Sequence, residues 1–199
     1  VHVAEGTLSG PVLIGGAALA VAGISLGLRR LSPEDIPRVA VVGAAFFVAS
    51  LIHVPIGPSS AHLILNGLAG LILGWAAFPA LTVALFLQAV LFGFGGLTSL
   101  GVNAVVMAGP AVAVRLLLGR PARSPDRRVA LAAGFGAGVV GVGLGCLFLA
   151  LALFLSAQGF VNVARLAVAA HLPVMAVEGL ITAFVVVFLG RVRPDLLED

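Results

Sequence analysis

Long apolar runs alternate with short polar or turn-forming segments along almost the whole chain. The first run covers 11–28 and is closed by Arg29, Arg30 and a polar loop reaching Arg38. The second, 39–54, ends in the turn-rich stretch Pro55-Ile56-Gly57-Pro58-Ser59-Ser60. The third, 61–77, stops before Pro79, and the fourth, 80–92, gives way to Gly93-Phe94-Gly95-Gly96. The fifth, 100–118, precedes a basic loop at 120–128; the sixth is 129–155, and the last is 169–189. About 20 apolar residues in a helix cross the hydrocarbon core of a bilayer. The pattern therefore predicts an all-α, polytopic membrane protein of about seven transmembrane helices, forming one domain over 1–199. Several runs are short or interrupted by glycine. Non-helical backbone survives at membrane depth only where it is buried in protein or lines a cavity, which directs attention to 55–60 and 93–103.

Composition strengthens the membrane reading. Of 199 residues, 61% are apolar and 10% charged, with a mean hydropathy of +1.21. Soluble domains carry roughly 45–50% apolar and about 25% charged residues, so this chain has too few charges to cover a water-exposed surface. All eleven basic residues are arginine, giving a formal charge of +3. With the N-terminus outside and the C-terminus in the cytoplasm, Arg29, Arg30, Arg38, Arg115, Arg120, Arg123, Arg127, Arg128, Arg191 and Arg193 fall on or near the cytoplasmic side. Only Arg165 then lies outside, so ten of eleven obey the positive-inside rule. A nucleic-acid surface would interleave basic residues with aromatics on one face, whereas these arginines sit in short loops, so no nucleic-acid partner is expected. The first run carries its basic residues after the apolar stretch, the reverse of a signal peptide, and reads as a retained span.

Several chemistries drop out. A lone Cys146 excludes a disulfide framework and any cysteine-based zinc or iron–sulfur site. Gly136 to Gly141 formally match a dinucleotide fingerprint, but that motif needs a strand before it and a helix opening after it. Here the run is helical, and Gly134 with Gly138, and Gly141 with Gly145, are spaced for close helix–helix approach. No phosphate-loop lysine occurs, so any ATP-driven work falls to a partner.

The four histidines, His2, His53, His62 and His171, all lie toward one side in this topology. Imidazole is the usual ligand for zinc, copper, iron and nickel. His2 stands out because a histidine at position two offers the terminal amine, its own backbone nitrogen and its imidazole from one short segment. Five- and six-membered chelate rings place those three nitrogens in one plane, the geometry that Ni(II) or Cu(II) favours. The written Val1 reads as an alternative start codon, and what matters there is the amine. His62 or His53 is positioned to supply a fourth nitrogen; the simpler reading of each is a helix-end imidazole bonded to a carbonyl. Glu178 is the sole carboxylate deep in the membrane by this map, seven residues after His171 and on the same helix face. An intramembrane ionisable residue is a functional hypothesis by default, and its structural alternative is a carboxyl locking the last span to its neighbours. Asn66 and Asn103 stand near the outer ends of two spans, where each could orient a ligand or tie a broken helix.

These residues resemble the membrane substrate-binding components of energy-coupling factor transporters for cobalt and nickel, the CbiM and NikM type. The opening Val1-His2-Val3-Ala4-Glu5-Gly6 is similar to the family's Met-His-Ile-Pro-Asp/Glu-Gly. Pro55-Ile56-Gly57-Pro58-Ser59-Ser60-Ala61-His62 resembles its Pro-Gly-Gly-Thr-Ser-x-His segment. Gly95-Gly96-Leu97-Thr98-Ser99-Leu100-Gly101-Val102-Asn103 and His171-Leu172-Pro173 with Glu178-Gly179-Leu180-Ile181-Thr182 continue the match. The resemblance implies an ion held by the Val1 amine, the backbone nitrogen and imidazole of His2, and the imidazole of His62. Supporting roles fall to His53, Ser60, Asn66, Asn103, His171 and Glu178. It also implies transported Ni(II) or Co(II) with no organic cofactor, and no enzymatic activity in this chain. The implied partners in the cell inner membrane are a transmembrane coupling (T) subunit, two cytoplasmic ATPases and, in many systems, a small extra membrane subunit. Ala4 replaces the usual proline, Pro58 and Ser59 replace a glycine-threonine pair, and Phe94 stands at an often polar position; these bear on metal choice. The competing reading is a proton- or ion-coupled carrier, or an intramembrane enzyme, centred on Glu178 and His171.

Overall fold

The computed structural model describes residues 3–56, 59–156 and 161–197, with backbone alone at 53–56, 59–61, 161–168 and 170. The elements run α1 (Gly10–Arg29), α2 (Ile36–Leu51), β1 (His53–Ile56), β2 (Ser59–His62), α3 (Asn66–Leu73), α4 (Ala77–Phe92), α5 (Leu100–Ala122), α6 (Arg127–Leu155) and α7 (Val161–Val192). Short 3-10 turns occupy Pro33–Asp35, Gly74–Ala76 and Pro194–Leu197. Prolines open α1 and α2, where the missing N–H has no intrahelical partner to lose. Asp126 caps α6 by accepting the N–H of Arg128 at 2.8 Å.

Among the described residues five stretches are long and apolar enough to cross a membrane: Gly10–Arg29, Asn66–Phe92, Leu100–Ala122, Arg127–Leu155 and His171–Val192. The expected seven spans meet this standard less often for two physical reasons. The run 39–54 ends as a helix at Leu51, leaving a 16-residue α2, because the residues from His53 pair as a hairpin. The run 61–77 contributes only the eight-residue α3. It begins in a strand, passes through Leu65 with a left-handed φ of 52°, and breaks at Gly74, whose φ of 53° combined with a ψ of -123° suits glycine. Within Asn66–Phe92 the chain also reverses. Gly70 lies on Ala111 and Gly74 beside Arg115 on the way down; Phe78 then meets Gly23, and Gln88 reaches Ser50 on the way back. The elsewhere all-α expectation gives way at β1–β2, an antiparallel hairpin in which His53 pairs with His62 and Val54 with Ala61. Pro55 lacks the N–H that a helix would need there.

The α6–α7 pair packs tightly through small residues. A Cβ on Gly138 would fall 2.5 Å from the backbone carbonyl of Glu178 and one on Gly134 2.7 Å from the Ala183 Cα, while against α3 one on Gly141 would fall 2.7 Å from Asn66 Oδ1 and 2.8 Å from the Gly67 nitrogen. The glycines of the sixth run therefore serve close helix approach, as their spacing predicted, and α6 is unbroken through them. Ile14, Val41, Leu116, Phe154 and Phe184 point outward with most of their surface uncovered, a girdle suited to lipid rather than water. The bundle thus has an arm end, where residues 3–9 lie by the start of α5 and the end of α6, and an arginine end, where α1, α5 and α7 finish and α2 and α6 begin.

Candidate metal centre

At the arm end the chain just after His2 is held by hydrogen bonds to its backbone. The Val3 N–H donates to Asn103 Oδ1 at 2.8 Å, while Ser99 Oγ and Asn103 Nδ2 donate to the Val3 carbonyl at 2.9 and 3.2 Å. One carboxamide thus pairs with one peptide group in both directions, and its Nδ2 also donates to Ser99 Oγ at 3.2 Å. Val3 and Leu8 are buried against Val102, Val106, Ala152 and Leu153. Further along, the Ser9 N–H donates to Ser156 Oγ at 3.2 Å and the Thr98 N–H to Glu5 Oε1 at 3.4 Å. Asn103 and Ser99 are themselves buried, so the bonds to Val3 meet few competing waters, while Ala4, Glu5 and Gly6 beyond it are exposed.

His62 closes strand β2 and is buried. Its Nδ1 lies 3.0 Å from the Leu63 carbonyl. A carbonyl can only accept, so Nδ1 carries a proton, and in the neutral ring the lone pair then lies on Nε2, the tautomer a metal-binding imidazole needs. The next two N–H groups, of Ile64 and Leu65, turn inward to the buried Glu178 carboxylate. Ile64 donates to Oε1, and Leu65 to Oε1 and Oε2 at 2.8 and 2.9 Å. These donors precede α3 and have no partner within it, so Glu178 acts as the cap of a half-length helix. That engagement matches the structural alternative for Glu178 and leaves its oxygens committed, which weighs against a carrier or enzyme centred on it. His171 is buried two turns earlier on α7. Asn66 opens α3 and donates from Nδ2 to the Gly141 carbonyl at 3.0 Å; its Oδ1 is buried without a partner.

Val1 and His2 lie outside the described residues, as do the side chains of His53 and Ser60. The backbone register nonetheless sets His53 directly opposite His62. Among the described residues no three His, Cys, Asp or Glu side chains gather as a metal site. The arm anchor and the His62 loop meet through α6. A Cβ on Gly145 would lie 3.5 Å from the Val106 carbonyl and 3.7 Å from Asn66 Nδ2, and Asn103 is one helical turn from Val106 on α5.

A family described as the cobalt uptake substrate-specific transmembrane region, CbiM, matches residues 2–196. The chain belongs to the CbiM family. A Haemophilus influenzae protein named for metal transport is 46% identical to this CbiM-family chain over 199 residues, covering 98% of this chain and 96% of its own length. A fused nickel transport protein, NikMN, of Rhodobacter capsulatus is 36% identical over 190 residues, covering 85% of this chain and 54% of its own length. A crystal structure described as a transition metal transporter aligns with a TM-score of 0.76 at 29% identity, over 96% of this chain and 93% of that one. In this CbiM member, sequence reasoning missed Ser99 and Ser156 as arm-holding residues. Ser99 could have been found, since it stands one helical turn before Asn103 and so shares its face. The Ser9–Ser156 contact joins residues 147 apart and has no local signature.

Proposed function

We propose that this chain is the metal-specificity component of an energy-coupling factor importer in the cell inner membrane. It forms one domain, with its N-terminus outside and its C-terminus in the cytoplasm. The cargo is Ni(II) or Co(II), bound by the terminal amine, the backbone nitrogen and imidazole of His2, and His62 Nε2. The observation that carries this reading is the clamp on Val3. Both backbone groups of Val3 are satisfied by Asn103 and Ser99, so the ligating residues ahead of it would start from an anchored point at the same end of the bundle as His62. The Leu63 carbonyl supports the reading by selecting the tautomer with its lone pair on Nε2. A hydrated ion would exchange waters for nitrogens, and the ligating amine, amide and imidazoles must all lack the displaced protons.

The chain itself catalyses nothing in this scheme. Two cytoplasmic ATPases, a T subunit and, in some systems, a small extra membrane subunit drive the reorientation that releases the ion inward. The test is a titration of the purified chain, bearing its natural first residue, with Ni(II) and Co(II), beside the same chain extended by one N-terminal residue. Near one tight ion per chain, lost on extension, is the expected result. Equal affinity in the two forms, or none in either, would overturn the amine-based site.

A further inference from the structure

Helix α4 is apolar throughout except for Thr82 and Gln88. The Thr82 hydroxyl turns back onto the Phe78 carbonyl of its own helix at 2.7 Å, whereas Gln88 is fully buried and reaches across to α2. Its Nε2 donates to Ser50 Oγ, and the Ser50 hydroxyl donates to the Phe47 carbonyl at 2.7 Å. A serine has one hydroxyl proton. Because the Phe47 carbonyl takes it, Ser50 can only accept from α4, and Gln88 must present its NH2 rather than its oxygen. Burying a carboxamide in an apolar bundle is unfavourable unless its hydrogen bonds are made; a leucine at 88 would pack the same interface without that requirement.

The link stands at the root of the β1–β2 hairpin. Ser50 lies in the last turn of α2, which closes with the Ile52 N–H on the Ala49 carbonyl and turns extended at Ile52. His53 follows at once, opposite His62. Elsewhere α2 packs chiefly on α4, with Gly43 against Ala80 and Phe46 in the main core. Apolar contacts have no direction and let one helix slide along another, while a hydrogen bond fixes its level. A two-stranded hairpin is marginally stable alone, so its tilt depends on where its two legs are held. The second leg runs into Ile64 and Leu65, whose N–H groups sit on Glu178 of α7. The first leaves α2 just beyond Ser50, on Gln88 of α4. Two fully buried side chains on different helices thus hold the two ends of the hairpin.

We propose that Gln88 is a positioning residue for the metal site: through Ser50 it fixes the strand that carries His53, and thereby the place of His62 on the strand paired with it. This rests on the reading above, in which His62 binds the ion. The N-terminal arm is anchored separately, through Val3, so a hairpin free to tilt would move the His62 nitrogen away from the other three. Loss of the link should weaken Ni(II) and Co(II) binding about 10–100-fold, the range for groups that orient a ligand, and only while His62 is present.

The test is a double-mutant cycle on the purified full chain, titrated with Ni(II) and Co(II) below its melting temperature. Gln88→Met, which keeps the length of the side chain and removes its hydrogen bonds, and Ser50→Ala are each made in the parent and in His62→Ala. Both should weaken the parent about 10–100-fold. Each should change the His62→Ala protein, which keeps the N-terminal nitrogens, by less than about twofold. Equal losses with and without His62 would overturn the inference, because the substitutions would then act by loosening the fold in general. A loss in Gln88→Met beside unchanged affinity in Ser50→Ala would overturn it too, since the effect would not pass through α2. If His62→Ala abolishes tight binding while both substitutions leave the parent unchanged, the positioning role falls and the metal reading stands. If binding ignores His62→Ala, that reading falls and this inference with it. Should Gln88→Met not fold, Ser50→Ala decides alone in the same cycle.

Discussion

The two ends of the bundle handle polar groups in opposite ways. At the arm end a set of buried and part-buried polar contacts joins residues far apart in sequence: Val3 with Asn103, Ile64 and Leu65 with Glu178, Ser9 with Ser156. At the arginine end two ion pairs are local, Asp35 with Arg38, half-buried, and Arg193 with Asp195, open to solvent, each at 2.7 Å. A buried donor that loses its partner pays the full desolvation penalty, whereas an exposed one turns to water. Substitutions at the arm end should therefore reach both the site and stability, and local pairs at the other end should tolerate change. Between the two lies a half-buried arginine: Arg115 on α5 donates to the carbonyls of Leu71, in the last turn of α3, and of Leu197, in the last 3-10 turn.

The sharpest test of the arm end is His62→Ala. Loss of outer-shell partners alone lowers metal affinity roughly 10–100-fold, so removal of an imidazole ligand should exceed about a hundredfold, read by Ni(II) and Co(II) titration. Unchanged affinity with an intact fold would remove His62 from the ligand set. The same titration repeated downward from neutral pH should show affinity falling, since protons compete for the ligating nitrogens.

Asn103→Leu comes next. It keeps the bulk but strips the Val3 N–H of its acceptor, at about 1–3 kcal/mol, and unfastens the arm. Metal affinity should fall about 10–100-fold, as expected for a residue that orients ligands, together with a lower melting temperature. A drop in stability with affinity untouched would mean that the arm does not carry the site.

Glu178 distinguishes a cap from a carrier. Glu178→Ala leaves the N–H groups of Ile64 and Leu65 without acceptors, an expected loss of about 2–6 kcal/mol at roughly 1–3 per donor. Glu178→Gln retains one carbonyl oxygen and should lose less than half as much. Thermal unfolding in detergent orders the three proteins. A Gln variant that is stable and binds metal yet fails to transport would revive a role for the carboxylic acid itself.

The sequence was legible where periodicity and charge act locally. Runs such as 11–28, 100–118 and 129–155 carry their own boundaries, and α1, α5 and α6 depart from them by a few residues. The run 61–77 misled because apolar content cannot distinguish a strand from a half-helix; the left-handed Leu65 is held by Glu178, over 100 positions away. His53 was ranked second to His62 on motif alone, and the hairpin that sets them opposite each other depends on a turn whose register no composition reveals. Asn103 and Glu178 were visible as polar residues in apolar runs. Their partners are backbone groups, and backbone groups leave no mark in a sequence.

The smallest expected effect comes from the local pairs at the arginine end. Hydrogen bonds from Ser32 hold the Asp35 carboxyl below its usual value, and the Arg193 guanidinium does the same for Asp195. A carboxyl lowered in the folded state contributes stability above its unfolded value, and that contribution disappears as pH falls through the lower folded value. For these residues the window lies below about pH 4, the ordinary aspartate value. Between pH 7 and 5 the melting temperature should thus be flat for the parent, Asp35→Asn and Arg193→Gln alike, with the variants separated from the parent by no more than a small constant offset. A separation that changes between pH 7 and 5 would show this end to be more tightly coupled than its local pairs imply, and Arg115, already bonded to Leu197 two residues from Asp195, would be the place to look for the connection.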